Sequence, residues 1–395
     1  MRKEKILIVA DGHYGSTLPL AKGFAQKGYE VGYVILSPSK CTSFEALELN
    51  QSCELKFGLN IIDKKYANEL YDYVDSKKFH LYVLVYPRTF KRIPIIRELS
   101  SYYTKTIIYS LRSFFRSYDY INLVGRYNSS ILCNIINLVE SKRITISLHE
   151  IFDHANKNYS DYILLKVIFQ KGIKVVVHSK KTFDDWQRKY MNKNVPIATI
   201  NFGIFETYRC IHPTTLPFAE SDYVLFMGSL KSYKGLQLLY DSVMSCSDLS
   251  RYKFVIAGAG YLPVIDLMKN HSQFIILNKF LSNGEIAALL KNCRGVICPY
   301  TSVSQSGVVQ TAFAFNKPIV ASNIGSFKEV IIDGNNGYLF DLDNQQQLAD
   351  KINLLYNDRN YELLINNVAK FSILNPEYAW VNIAQEYVDW MCVNQ

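Results

Sequence analysis

Between Val296 and Ile324 the chain reads VICPYTSVSQSGVVQTAFAFNKPIVASNI: apolar run, polar loop, apolar helical segment, Lys-Pro turn, second apolar run. Val296–Cys298 and Ile319–Ala321 are short and bounded by turn residues, as buried parallel strands are. A strand, a crossover helix over Val308–Phe315 and another strand in that order restrict the fold to α/β layers. Ser304-Gln305-Ser306-Gly307 opens the helix with small residues that leave backbone N–H groups uncovered at its positive end, a seat for a phosphate. An ordinary Ser/Gly helix start carries the same residues, so the rest of the chain has to decide.

The same alternation runs along the whole sequence. Apolar runs at Lys5–Ala10, Val31–Leu36, Leu81–Tyr86, Thr106–Tyr109, Ile144–Leu148, Lys174–His178 and Val195–Ile200 predict a first series of strands. A second series is expected at Tyr223–Met227, Lys253–Ala257, Phe274–Leu277, Gly295–Cys298, Ile319–Ala321 and Tyr338–Phe340. Residues 201–220, with Pro213 and Pro217, read as a connector. The pattern predicts two Rossmann-like, doubly wound domains facing each other across a cleft: 1–202, and 203–376. A last amphipathic helix, Glu377–Met391, sets Trp380, Ile383, Ala384, Tyr387 and Trp390 on one face, too apolar to hang free.

Charge divides the chain as well. Residues 1–200 hold 30 Lys and Arg against 18 Asp and Glu, whereas residues 201–395 hold 14 against 17. The first half is expected to meet something anionic, or to carry solvated lysines that keep it soluble. Its densest segment, residues 88–116, interleaves Arg88, Lys91, Arg92, Arg97, Lys105, Arg112 and Arg116 with Phe90, Phe114 and Phe115. Nucleic acid, an anionic membrane surface and plain solvent all suit such a segment. Eight cysteines without a C-x-x-C pair suit reduced thiols in a cytosol. The start lacks the pattern of a secretory leader, and no apolar run reaches the roughly 18 residues of a membrane span. Membrane contact is therefore expected to be peripheral.

Ligands on such sheets sit beyond the carboxyl ends of strands, so chemistry is sought in the loops there. After the first strand, Asp11-Gly12-His13-Tyr14-Gly15-Ser16 lacks the G-x-G-x-x-G of a dinucleotide site. Gly228, Ser229, Lys231 and Lys234 follow the strand at 223–227, with glycine for close backbone approach and lysines for a phosphate. Gly258 and Gly260 fit a nucleotide passing close to the chain, though a lone Gly-x-Gly is a weak signal. Ser282 to Glu285 reads as a capping box. Asp341 and Asp343 resemble a metal-binding pair, but Asp343 is expected to be a helix N-cap. His149-Glu150-Ile151-Phe152-Asp153-His154 does not have the H-E-x-x-H spacing of a zinc helix. His149, at a strand's end, suits a hydrogen bond to a substrate hydroxyl or to developing phosphate charge.

On three segments, FMGSLKSYKGLQLL (226–239), QSGVVQTAFAFNKPIVASNIGSFKEVIIDGNNGYLF (305–340) and SLHEIFDH (147–154), the chain resembles the glycosyltransferases of family 4. The resemblance covers nearly the whole length and implies the two-domain B-type fold, with residues 377–395 crossing back onto the first domain. It further implies transfer of a sugar from a nucleotide-diphosphate donor to a glycan or lipid-linked glycan, with retained configuration. No metal, other cofactor or nucleic acid is implied. By resemblance the donor lies against the second domain, held by Gly228, Ser229, Lys231, Lys234, Gly258 and Gly260. Phe280 and Leu281 lie by the base, and Gln305, Ser306, Gly307, Val308 and Thr311 complete the donor set. His149 and Lys234 are the catalytic candidates, and Gly12, Gly15 and Ser16 form the acceptor-side loop. The usual arginine of the diphosphate loop is Ser229 here, and the usual pair of acids is replaced by Val303 and Thr311. A nucleotide-sugar epimerase or a non-catalytic scaffold is the alternative. The expected location is cytoplasmic, peripheral at the inner face of a membrane.

Overall fold

The computed structural model describes residues 4–44, 47–87, 94–125, 129–149, 159–218, 221–303 and 306–393. It divides into two compact units, Met1–Gly203 with Ala379–Gln395, and Ile204–Tyr378.

The first unit is built on strands β1 (Lys5–Ala10), β2 (Glu30–Ser37), β5 (Gly58–Ile62), β6 (Phe79–Val85), β7 (Tyr120–Val124), β8 (Ile144–Leu148), β9 (Lys174–Val177) and β10 (Ile197–Thr199). A two-stranded ribbon, β3 (Ser43–Phe44) and β4 (Leu47–Glu48), stands apart from this sheet. The sheet order is β10-β9-β8-β7-β1-β2-β6-β5, and every pairing is parallel except β5 on β6. The inner strands are near-continuous apolar runs because helices cover both their faces. The edge strand β5 is only partly buried, and Asn60 there turns its amide onto the Lys56, Gly58 and Val83 carbonyls.

Helix α1 (Tyr14–Gln26) packs against the closing helix, which spans Trp380–Cys392. The approach is close at Gly23, where a β-carbon would sit 2.5 Å from the Trp380 carbonyl oxygen. Lys174 Nζ donates to the Met391 and Val393 carbonyls, both at 2.6 Å. A cation thereby satisfies the orphaned, negative end of the closing helix.

The second unit is one parallel sheet of β11 (Tyr223–Met227), β12 (Phe254–Ala257), β13 (Phe274–Leu277), β14 (Cys293–Cys298), β15 (Ile319–Ser322) and β16 (Gly337–Phe340). Its order, β13-β12-β11-β14-β15-β16, places the first strand at the centre and reverses direction between β11 and β14. Counted within the unit this is 3-2-1-4-5-6, the dinucleotide-fold order. The first unit repeats it about β1, with the switch between β1 and β7.

Four expectations need correction. Thr106–Tyr109 is not a strand but the last turn of helix α2 (Pro94–Ser110), where a β-branched run is overridden by helical context. The strands missing from the first series are β5, a partly buried edge strand, and β7, whose apolar run is interrupted by Asn122; that side chain is buried and accepts the Ser147 hydroxyl at 2.9 Å. The N-cap before Gln345–Leu355 is Asn344, accepting from Gln347 N, rather than Asp343. The closing helix also starts at Trp380, after a 3-10 turn at Pro376–Tyr378, rather than at Glu377.

Candidate active site

Each unit presents a mouth where its strand order reverses, and the two are built from different materials. In the second unit β11 runs into Gly228, which has φ +116° and donates its N–H to the Ala257 carbonyl at 2.9 Å. Leu230 N then donates to Ala259 O at 2.9 Å, so the loops after β11 and β12 are zipped together. Gly258, at φ +151°, makes this possible: a β-carbon there would collide with the Gly228 carbonyl.

The loop continues through exposed Ser229 and Lys231 into a 3-10 turn at Ser232–Lys234. Gly235, in the left-handed region, presses on the Pro299 carbonyl, and Thr301 N donates to Tyr233 O at 2.7 Å. These contacts bind the loop after β11 to the loop after β14, across the switch point.

Lys234 is buried and donates to the Tyr300 hydroxyl at 3.0 Å. Burial lowers its pKa, and nearby Lys231 lowers it further, against the opposing effect of Cys298. Burial likewise holds the Tyr300 hydroxyl well above its usual range; that hydroxyl also hydrogen-bonds Ser306. Ser306 precedes helix α3 (Gly307–Ala314), and its own side chain does not cap this helix start. Lysine, phenol and helix mouth are thus one connected polar group.

Other residues of the donor set fall around this group in distinct ways. Phe280 is 92% exposed and Leu281 half-buried on the loop after β13, beside a Lys279–Glu285 ion pair of 2.7 Å. Glu285 also completes the expected capping box with Ser282. Thr311 is buried and its hydroxyl donates to Gly307 O at 2.6 Å, so it is committed within its own helix. Val303 lies in the apolar core of the unit. Gln305, Glu150, Asp153 and His154 lie outside the described residues.

The first unit's mouth is walled by rings. His13, in the left-handed region at φ 59°, precedes α1 and stacks on His149 with centroids 3.6 Å apart. His149 also lies 5.1 Å from His178 and 4.9 Å from Phe202, and His178 stacks on Phe202 at 3.9 Å. His178 Nδ1 is 2.9 Å from Ile200 O, which makes Nδ1 the protonated nitrogen and leaves Nε2 bare. Burial holds the His149 pKa well below the imidazole range, with His13 and His178 adding to the effect. Burial pushes His178 down to about 3. Both rings are therefore neutral at ordinary pH.

Gly12 and Gly15 are buried at the start of α1, and the Ser16 hydroxyl donates to His13 O at 2.9 Å. Behind the rings, Ser147 Oγ joins Asn122 Oδ1 to the Tyr387 hydroxyl of the closing helix, at 2.9 Å each. The sequence reading missed His13, His178 and Tyr300 as site residues. All three lie within three residues of a strand's carboxyl end, and scanning every such end for rings finds them.

Residues 211–371, wholly inside the second unit, match the model of the family described as Glycosyl transferases group 1. A glycosyltransferase of Methanocaldococcus jannaschii is 28% identical over 167 residues, 41% of this chain and 46% of that protein. A Campylobacter jejuni alpha-1,4-N-acetyl-D-galactosaminyltransferase, whose name includes a diNAcBac-PP-undecaprenol-linked glycan, is 26% identical over 178 residues, 43% of this chain and 49% of that protein. The chain spans about half the length of the curated relatives it matches. The structure of Anabaena HepE with UDP and glucose aligns over 98% of both chains with a TM-score of 0.63 at 16% identity, a likeness of fold. By these matches the second unit is similar to glycosyltransferase group 1 domains, on the α/β fold with parallel sheets that B-type glycosyltransferase structures share.

Proposed function

We propose that this chain is a retaining, metal-independent glycosyltransferase of family 4, transferring a sugar from a nucleotide-diphosphate donor to a glycan in surface-polysaccharide assembly of the bacterial type (O-antigen, capsule or exopolysaccharide). The observation that carries the proposal is the second unit's mouth: Gly228 and Gly258 keep side chains away while Lys234, Tyr300 and the Ser306 helix start are joined in one hydrogen-bonded group. Preorganised N–H dipoles and ammonium charge stabilise a departing diphosphate without reorganising. Net transfer breaks the C1–O bond to the diphosphate, which leaves with the electron pair. The acceptor oxygen bonds C1 and releases its proton.

On the first unit we assign His149, neutral and half-buried, to hydrogen-bond a sugar hydroxyl. The acceptor is assigned to a lipid-linked glycan, consistent with the undecaprenol in the Campylobacter relative's name and with the positive first unit. That places the protein at the cytoplasmic face of a membrane with an anionic surface. No helix among the described residues is long and apolar enough to cross one.

Calorimetric titration with UDP- and GDP-sugars tests the reading. Saturable binding is expected that weakens at least about tenfold when the diphosphate is removed, together with turnover that survives chelation. Ser229, where an arginine is usual in the resembled family, and Val303 and Thr311, where a pair of acids is usual, favour a scaffold as the second reading. A scaffold shows no diphosphate-dependent binding at all, and an epimerase forms a new sugar nucleotide without acceptor.

A further inference from the structure

Helix α2 is patterned inside out. Its buried face carries Ser100, Thr104 and Ile108, one turn apart, and the helix packs there against helix Ser129–Leu138. Its opposite face carries Ile95, Leu99 and Tyr102, which are 71%, 64% and 72% exposed, followed one and two turns on by Thr106 and exposed Tyr109. At 100° per residue these five positions lie within one narrow stripe, with exposed Tyr103 at its margin. A water-facing helix has the reverse arrangement, and a continuous apolar stripe of this length marks a surface that something covers.

We infer that the Ile95–Leu99–Tyr102–Tyr109 stripe of α2 lies in the surface of an anionic lipid bilayer. Charge decides for lipid. Lys105 borders the stripe, its Nζ 5.6 Å from the Tyr109 ring centroid, and exposed Arg112 and Arg116 follow on helix Arg112–Arg116. Glu98 is the one acid among the described residues from 94 to 116. Tyrosine beside lysine and arginine, on an apolar face, is the composition of an interfacial helix, whereas lysine is depleted from protein–protein interfaces. The inference rests on the membrane-bound acceptor proposed above and adds the structural element that meets the lipid.

The test is sedimentation with vesicles of phosphatidylglycerol and phosphatidylcholine, against vesicles of phosphatidylcholine alone. Wild-type protein is expected to partition to the anionic vesicles, less so as salt rises. Leu99→Glu with Tyr102→Glu is expected to cut that partition at least about tenfold. Met191→Glu, an equally exposed apolar-to-acid change in the same unit, is expected to cut it far less. Equal loss from Met191→Glu, no loss from the double variant, or equal binding to neutral vesicles overturns the inference. So does a wild-type dimer that the double variant makes monomeric, since a second copy then covers the stripe. UDP- and GDP-sugar binding, measured on the same samples, separates the outcomes: intact binding without vesicle partition sinks this inference alone, and absent sugar-nucleotide binding sinks the proposed activity.

Discussion

The two units repeat one strand order and open at the same topological point, yet their mouths have little chemistry in common. Around β1 the space beyond the strands is walled by the stacked rings of His13, His149, His178 and Phe202, with His149 and His178 neutral. Around β11 it is emptied of side chains by Gly228, Gly258 and Gly235 and supplied with charge by Lys234. The fold fixes where a ligand can sit, and the few residues after each strand fix which one. An aromatic and imidazole wall offers flat apolar faces with single hydrogen bonds. A glycine-lined loop offers backbone N–H groups and room for phosphate oxygens.

The most severe way to break this comparison is to give the second mouth a side chain. Gly258→Val places a branched carbon against the Gly228 carbonyl at a backbone angle that valine does not adopt. We expect at least about 3 kcal/mol of destabilisation and no measurable sugar-nucleotide binding. Thermal melting with calorimetry checks both. A variant that melts normally and binds normally removes the argument that glycine shapes this mouth.

Acid should act on the other mouth. His178 binds a proton less readily folded than unfolded, so the unfolded chain takes up more protons once pH falls below the ordinary imidazole value. The stability contributed by the neutral ring is full above pH ~6.5 and is lost as pH falls toward about 3. Between pH 7 and 5 that is about 2 kcal/mol for one such ring. His178→Phe keeps a flat ring on Phe202 and should remove that share of the acid loss, at about 1 kcal/mol of neutral-pH stability for the orphaned Ile200 carbonyl. Urea midpoints at the two pH values decide it, and an unchanged acid loss means His178 is not the group that resists protonation.

How far the sequence foretold these two mouths follows from which signals are local. Strand runs of the second unit are uninterrupted and bounded by turns, and all six were legible in the chain. In the first unit, β7 was hidden because Asn122 breaks its run; the buried Asn122 Oδ1 accepts from Ser147, and Asn122 hydrogen-bonds Tyr387 of the closing helix. Thr106–Tyr109 misled because its β-branched run Thr106-Ile107-Ile108 reads as a strand, whereas it turns as helix and buries only Ile108. The glycines and lysines of the second mouth are contiguous with their strands and stood out. The ring cluster draws one residue from each of four distant segments, and no spacing in the sequence brings His13, His149, His178 and Phe202 together. Lys234 stood out in the chain as a candidate phosphate ligand, but its burial against Tyr300 was not legible there.

Removing charge from the second mouth sharpens the comparison at a lower magnitude. Lys231→Ala with Lys234→Ala should lower turnover about a hundredfold, mostly through kcat if the lysines act on the departing diphosphate. Loss confined to KM instead assigns them to ground-state binding. Unchanged turnover removes them from the chemistry.

Tyr300→Phe gives the smallest effect and the finest resolution. The ring stays in place against Phe327 and Tyr233, so packing is conserved and only the hydroxyl is removed. That hydroxyl is the single atom joining Lys234 Nζ, at 3.0 Å, to Ser306 at the helix start. A buried ammonium deprived of one acceptor is freer to move and more expensive to keep charged. Sugar-nucleotide affinity should fall about three- to tenfold, with little change in melting temperature once ligand is bound, because an anionic diphosphate supplies the missing acceptor. The apo protein should lose about 1 kcal/mol. If apo and ligand-bound forms are destabilised equally, the hydroxyl serves the core of the second unit rather than its mouth, and the contrast with the ring-walled first unit rests on glycine alone.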